Sequence, residues 1–205
     1  MGTLTHPDSN TWELCHLSGL GVGSSTIQII GITPSHTCIV SKVVLGVDPG
    51  YRNLGLAVVQ LSGNPKILWS DSISVGTHEH GMSFSKVLVP KLEQLDIHFG
   101  INSIAMETPP FIQRQIKTSA LLWAVGSIIF TWGHMQGKER KHCSPIAIKR
   151  GVSKVLGIPW NRKFIPKKNQ VKEVVQKVFG SAPRTSHEND AVLAALLLYS
   201  KLIDG

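Results

Sequence analysis

The chain has 205 residues, 42% of them hydrophobic, and a mean hydropathy of +0.08. That is enough apolar material for one sizeable core, and it excludes the disordered and fibrous classes. The formal net charge is +8. The three cysteines, Cys15, Cys38 and Cys143, are odd in number and lack CxxC spacing, which argues against a disulfide framework and a zinc site and suits a reducing compartment.

Met1–Gly23 holds Asp8 and Glu13 and no Lys or Arg, so it reads as neither a signal peptide nor a transit peptide. Residues 1–40 are rich in Gly, Ser and Thr and read as a poorly structured or accessory extension, with short strands at Thr26–Ile32 and Thr37–Val40. The core opens at Val43-Val44-Leu45, an apolar run that ends on Asp48 and the turn signal Pro49-Gly50. Leu54–Leu61 and Lys66–Ile73 follow after tight turns, which predicts a three-stranded antiparallel meander. By itself Asp48-Pro49-Gly50 reads as a turn rather than a site.

Apolar positions at helical spacing from Phe84 to Phe99, stopped by Gly100, predict a helix. Ile101–Glu107 reads as a fourth strand that again ends in a carboxylate. Residues 117–135 form a long apolar helix, and its apolar run Ala120–Trp132 falls short of the ~18–20 residues that span a bilayer. Ser144–Ile148 is taken as a fifth strand, followed by a short basic helix at 149–157 and another at Asn169–Phe179. The last helix runs from His187 to about Leu202, with Ser186 as its N-cap. This order predicts a mixed α/β sheet flanked by helices.

Three acids stand out against the apolar background. Asp48 and Glu107 end strands, and Asp190 shares a helix face with His187, three residues before it. Acids on a helix that packs against a sheet are costly unless paired or bound to a cation. Oxygen donors of this kind suit Mg²⁺ or Mn²⁺, and a pair of ions would serve phosphodiester hydrolysis. Taken singly, each acid also fits a helix-dipole charge or a harmless strand end.

The basic excess is concentrated. Lys138–Arg184 carries 13 Lys/Arg against Glu139 and Glu173, as expected of a surface for a polyanion. Within it, Trp160, Arg162, Lys163 and Phe164 interleave aromatics with cations, a pattern that fits nucleic-acid stacking and equally a loop pinned into the core. Lys149, Arg150 and Lys167 belong to the same DNA-binding set. Gly50 and Gly55 are read as places where backbone approaches DNA closely.

Taken in order, these segments resemble the RuvC-like Holliday-junction resolvases, on the RNase H-like (retroviral integrase) fold. The likeness covers about Val43–Tyr199. It rests on Leu45-Gly46-Val47-Asp48-Pro49-Gly50 with Gly55, on Met106-Glu107, and on Thr118-Ser119-Ala120-Leu121 with Gly126. It continues through Ser144-Pro145 with Lys149, Gly157 and Lys168-Asn169-Gln170-Val171, and closes on His187-x-x-Asp190-Ala191. The resemblance implies an RNase H-like, mixed five-stranded β-sheet flanked by α-helices, with residues 41–205 as the nuclease domain. It implies a catalytic and metal-binding set of Asp48, Glu107, His187 and Asp190, holding two Mg²⁺ or Mn²⁺ ions per site, with Lys168 on the phosphate and Lys149 beside the backbone. It implies that Phe111 is a junction wedge, although Thr108-Pro109-Pro110 before it is unusual for the family. Arg114 and Lys117 would meet phosphates near the junction.

The implied function is resolution of four-way DNA junctions by a homodimer that places symmetric nicks, in the cytoplasm and on the nucleoid. The apolar helix 117–135 suits a subunit interface or a core helix. Two rival readings stand beside it: an RNase H-like nuclease for other branched or RNA-containing substrates, and a non-catalytic DNA-binding module. No membrane association is expected, and no residue pattern identifies a branch-migration motor.

Overall fold

The computed structural model describes residues 42–50, 52–61, 64–74, 82–109, 113–161 and 163–197. Residues 1–40, with their two expected strands, lie outside that set, as do Phe111 and Arg162.

Five strands form one sheet. β1 (Lys42–Asp48), β2 (Asn53–Leu61) and β3 (Lys66–Ser74) make the expected antiparallel meander, and β4 (Ser103–Glu107) and β5 (Glu139–Cys143) add in parallel on the other side. The order across the sheet is β3-β2-β1-β4-β5. β1 is central and covered on both faces, which is why its sequence is a continuous apolar run rather than an alternating one.

Side chains of β1 and β4 alternate between two cores. Val43, Leu45, Val47, Ile104 and Met106 point into the first, beneath α1 (Met82–Phe99) and α2 (Ile116–Met135). Val44 and Ala105 point into the second, beneath α3 (Pro145–Leu156), α4 (Lys168–Phe179) and α5 (Ser186–Leu197). The result is a three-layer α/β/α arrangement, with helices on both faces of a mixed sheet. Gly100 has φ +63° after α1, the left-handed conformation in which glycine ends a helix without strain. Asp96 near the end of α1 accepts from the Lys138 ammonium at 2.8–2.9 Å and from the Ile101 amide at 2.9 Å, tying α1 to the strands that follow it.

Three assignments differ most from the sequence reading. The fifth strand is Glu139–Cys143, not Ser144–Ile148. Its sequence, Glu-Arg-Lys-His-Cys, has no apolar period because β5 is an edge strand, where charge discourages pairing with another chain. Ser144 instead caps α3, its Oγ accepting from the Ala147 amide at 3.2 Å with Pro145 in the first turn, so the basic helix starts four residues earlier than expected. The cap of α5 is Thr185 rather than Ser186. The Glu188 amide donates to Thr185 Oγ1 at 3.2 Å and the Thr185 amide donates to Glu188 Oε1 at 3.3 Å, a reciprocal capping box.

Over Gln113–Met135 the α2 region is long and apolar enough, by length and composition, to cross a bilayer, contrary to the expectation that no stretch approaches that limit. Small residues such as Ser119, Gly126, Ser127 and Gly133 extend the apolar run without lowering its mean hydropathy much. α2 packs on β4, β5 and α1 and buries Val125, Ile129 and Trp132 in the first core, the setting of a core helix.

Candidate active site

The last register pair of the parallel β1–β4 ladder is Val47↔Met106. The next residue on each strand is a carboxylate, Asp48 on β1 and Glu107 on β4. Adjacent strands lie ~4.8 Å apart and in-register residues of parallel strands share a face, so the two acids stand side by side. Alternation from Val47 and Met106, which face the first core, turns both toward the α3–α5 layer.

α5 completes the cluster by crossing β1 and β2 at very short range. A Cβ on Gly46 would fall 2.0 Å from the Ala191 carbonyl oxygen, and one on Gly55 would fall 2.2 Å from that of His187. Gly55 is therefore reserved for the backbone of α5, not for DNA as its sequence position suggested. Gly50 is reserved by its own turn, since a Cβ there would meet the Asn53 carbonyl oxygen at 1.9 Å. Carried this close, His187 Nδ1 lies 2.8 Å from Asp48 Oδ2. Asp190, one turn further along α5, is half-buried and close enough to feel the charges of Asp48, His187 and Lys168.

The acids are destabilised as a group. Burial pushes the Glu107 carboxyl up to about 7, helped by the charges of Asp48 and Asp190 and opposed by Lys149. Asp190 rises to about 6, again through burial first and Asp48 second, against His187 and Lys168. Asp48 is raised by burial despite its bond to His187. As the side chains stand, no group of three or more His, Cys, Asp or Glu among the described residues is gathered tightly enough to hold one ion. The donor set nevertheless fits hard cations. It comprises oxygen ligands on rigid elements, in mutual repulsion and partly shut off from water, which is what a divalent ion relieves.

Glu188 is the acid of this helix that does something else. It is buried, accepts from Ser70 Oγ on β3 at 2.6 Å, and closes the capping box, so both its oxygens are engaged in fixing α5 on the sheet. The Thr185-x-x-Glu188 pattern was the available signal for it. Asn189, also buried, donates to the Pro183 and Thr185 carbonyls at 3.2 and 2.5 Å and holds the approach to the helix.

Basic residues surround the acids unevenly. Lys168, at the start of α4, donates to Ser186 Oγ at 3.4 Å and its charge reaches Asp48 and Asp190. Lys149 on α3 reaches Glu107. Arg150 lies on α3 with its guanidinium 5.3 Å from the centroid of the Trp160 ring. Lys163 and Lys167 are exposed in the α3–α4 connection, and Arg114 and Lys117 are exposed around the start of α2.

A mixed sheet in the order β3-β2-β1-β4-β5, with acids at the ends of two adjacent parallel strands and a third acid on the crossing helix, is the arrangement of the RNase H-like fold. The profile of the family described as "Crossover junction endodeoxyribonuclease RuvC" matches residues 44–197, and the chain belongs to that family. A crossover junction endodeoxyribonuclease RuvC from Treponema denticola is 25% identical over 158 residues, 75% of this chain and 83% of that protein. The Thermus thermophilus RuvC in complex with Holliday junction substrate superimposes with a TM-score of 0.65 at 21% identity, over 78% of this chain and 96% of that one. The yeast mitochondrial Holliday junction resolvase Ydc2 follows at 0.55 and 15%, over 79% and 84%. These two likenesses show the fold.

Proposed function

We propose that the chain is a divalent-metal-dependent Holliday-junction resolvase in which Asp48, Glu107 and Asp190 hold two Mg²⁺ or Mn²⁺ ions with help from His187. The observation that carries this is the placement of Asp48 and Glu107 directly after the Val47↔Met106 pair, with His187 brought to 2.8 Å from Asp48 across 139 residues of sequence. When bound, such ions supply a water nucleophile at neutral pH and stabilise the leaving 3′ oxygen. The chain's own groups do the rest. His187 fixes the Asp48 carboxylate through Nδ1 and leaves its other ring nitrogen to orient water. Lys168, whose charge reaches Asp48 and Asp190, would offset charge building on the phosphate. Glu107 and Asp190, half-buried and repelling one another, are disposed to exchange protons for cations near neutral pH.

Lys149, Arg150, Lys163, Lys167, Arg114 and Lys117 supply the DNA contacts. Phe111 and Arg162 keep their proposed DNA contacts on sequence grounds. Membership of a resolvase family supports four-way DNA as substrate, and a homodimer would place paired, symmetric nicks. α2 suits the dimer contact because it leaves Ile116, Trp123 and Met135 exposed, and Met135 lines a groove of about 360 Å³ with Val89, Ile128 and Trp132. Action on chromosomal DNA fits the cytoplasm and nucleoid, where a buried free thiol such as Cys143 stays reduced.

The test is an end-labelled immobile junction incubated with Mg²⁺, with nicks mapped on all four strands and the oligomer measured by light scattering. Paired symmetric nicks by a dimer are expected. Cutting confined to flaps or RNA-containing hybrids would overturn the substrate, and binding without cutting in any metal would overturn the activity.

A further inference from the structure

A second recess lies beside the acids and takes no part in the chemistry above. It is a cavity of about 240 Å³ whose described lining is Ile146, Lys149, Arg150 and Trp160. Its floor is α3, which starts two residues after Cys143, and Cys143 pairs with Glu107 across β4 and β5. The recess therefore opens at the end of the sheet that carries the acids, and Lys149 serves both places, since its charge also reaches Glu107. Trp160 comes from the connection after α3 and is half-buried, with the Arg150 guanidinium held 5.3 Å from its ring centroid. Ile146 presents an exposed apolar wall at 57% relative exposure.

We infer that this recess receives one unstacked base of the strand being cut, and that Trp160 and Arg150 give the enzyme a base preference next to the scissile phosphate. The inference rests on the junction-nuclease reading above. Phosphate alone is a poor occupant, because it would leave the face of the indole and the Ile146 side chain without an apolar partner. A base suits both kinds of wall, with an apolar face to lie on the ring and a polar edge for the cations. Lys149 and Arg150 are pure donors. The base favoured is therefore one with an acceptor-rich edge, guanine foremost, as in the O6/N7 pairing that arginine and lysine make elsewhere. Four-way junctions supply such a base cheaply, since pairing and stacking are already weakened at the branch.

The experiment uses the full chain and immobile junctions carrying 5-iodouracil at each position flanking the cut. Photocrosslinking is done with D48N, which on the reading above binds without cutting. Crosslinks from one position adjacent to the scissile phosphate should map to Trp160. On a junction panel varied at that position, the wild type should prefer guanine. W160A should lower cleavage of the guanine junction by about 10-fold, the range expected for loss of one base–aromatic stack, and flatten the preference because the base is no longer held against Arg150. W160F should retain most of it, and R150Q, an exposed substitution that spares the fold, should flatten it in part. Unchanged preference in folded W160A and R150Q overturns the inference, as do crosslinks that avoid Trp160 at every position. So does a lower salt dependence of binding for R150Q with no change in preference, which would mark a phosphate site. The two readings fail separately. A wild type that cuts no junction overturns the nuclease assignment, whereas one that cuts with a preference indifferent to Trp160 overturns only the pocket.

Discussion

His187 on α5 and Asp48 at the end of β1 are joined by a 2.8 Å Nδ1–Oδ2 contact between the last described helix and the central strand of the sheet. The contact ties the position of α5, and with it Asp190, to the strand-end acids. If that junction is the catalytic centre, Asp48→Asn keeps the shape and the hydrogen bond and removes the charge. Cleavage of a four-way junction should fall by about 10³-fold or more, the several kcal/mol that metal stabilisation supplies. Junction affinity in a gel-shift assay should stay within a few-fold. Undiminished cutting would defeat the assignment.

Glu107 makes a pH prediction whose sign runs against the usual carboxylate. Its folded pKa of about 7 lies above the ordinary 4.5, with burial the largest cause. Its contribution to the metal-free fold is therefore intact below about pH 4.5 and is lost as pH rises through about 7. In chelator at pH 8, Glu107→Gln should melt higher than the wild type, and near pH 4 the difference should vanish. Mg²⁺ should raise the wild-type melting temperature at pH 8 and leave the variant unmoved. A variant that melts lower than the wild type at pH 8 in chelator would contradict the electrostatics.

Activity should follow the same titrations. Protons and cations compete for Glu107 and for Asp190, which titrates at about 6. At fixed, subsaturating Mg²⁺ the cleavage rate should rise between about pH 6 and 8, and more Mg²⁺ should shift the rise to lower pH. A rate that is flat over this interval at low Mg²⁺ would sink the idea.

Gly46 and Gly55 carry α5. Gly55→Ala puts a methyl 2.2 Å from the His187 carbonyl oxygen, and Gly46→Ala one 2.0 Å from that of Ala191. Each should destabilise by about 1–3 kcal/mol or more as α5 is pushed off the sheet, and junction cleavage should fall further than the folded fraction does. Gly100→Ala is the control. Its site is open but has φ +63°, so the strain should be about 1–2 kcal/mol with cleavage per folded molecule unchanged. Equal cleavage by all three variants would dissociate α5 from the site.

Cys143 should be inert. Its thiol is buried, donates to the Ala194 carbonyl at 3.5 Å, and is pushed up to about 11 by burial first and the Glu107 charge second. Iodoacetamide at pH 8 should label it only in denaturant, as read by peptide mass spectrometry. Rapid labelling of the native chain would mean that α5 opens readily.

Much of the architecture was legible in the residue pattern because local rules suffice for it. Continuous apolar runs mark the buried strands β1 and β4, the 3.6-residue period marks α1, and Gly100 marks its end. The adjacency of His187 and Asp190 follows from helical spacing alone. Other features depend on contacts between distant segments and leave no local trace. β5 is a strand only because β4 offers it an edge to pair with, so its charged sequence gave no period to read. Gly46 and Gly55 look like ordinary strand or loop glycines until α5 is laid across them, at which point they are the reason the helix can approach. Arg150 and Trp160 are ten residues apart in sequence, and the turn after α3 folds one back over the other. The sequence by itself determined which residues carry the charge and which elements end on them. Tertiary packing decided that His187 meets Asp48 and that Asp190 comes within range of their charges, because the distance between a helix and a sheet is set by the side chains absent from the interface.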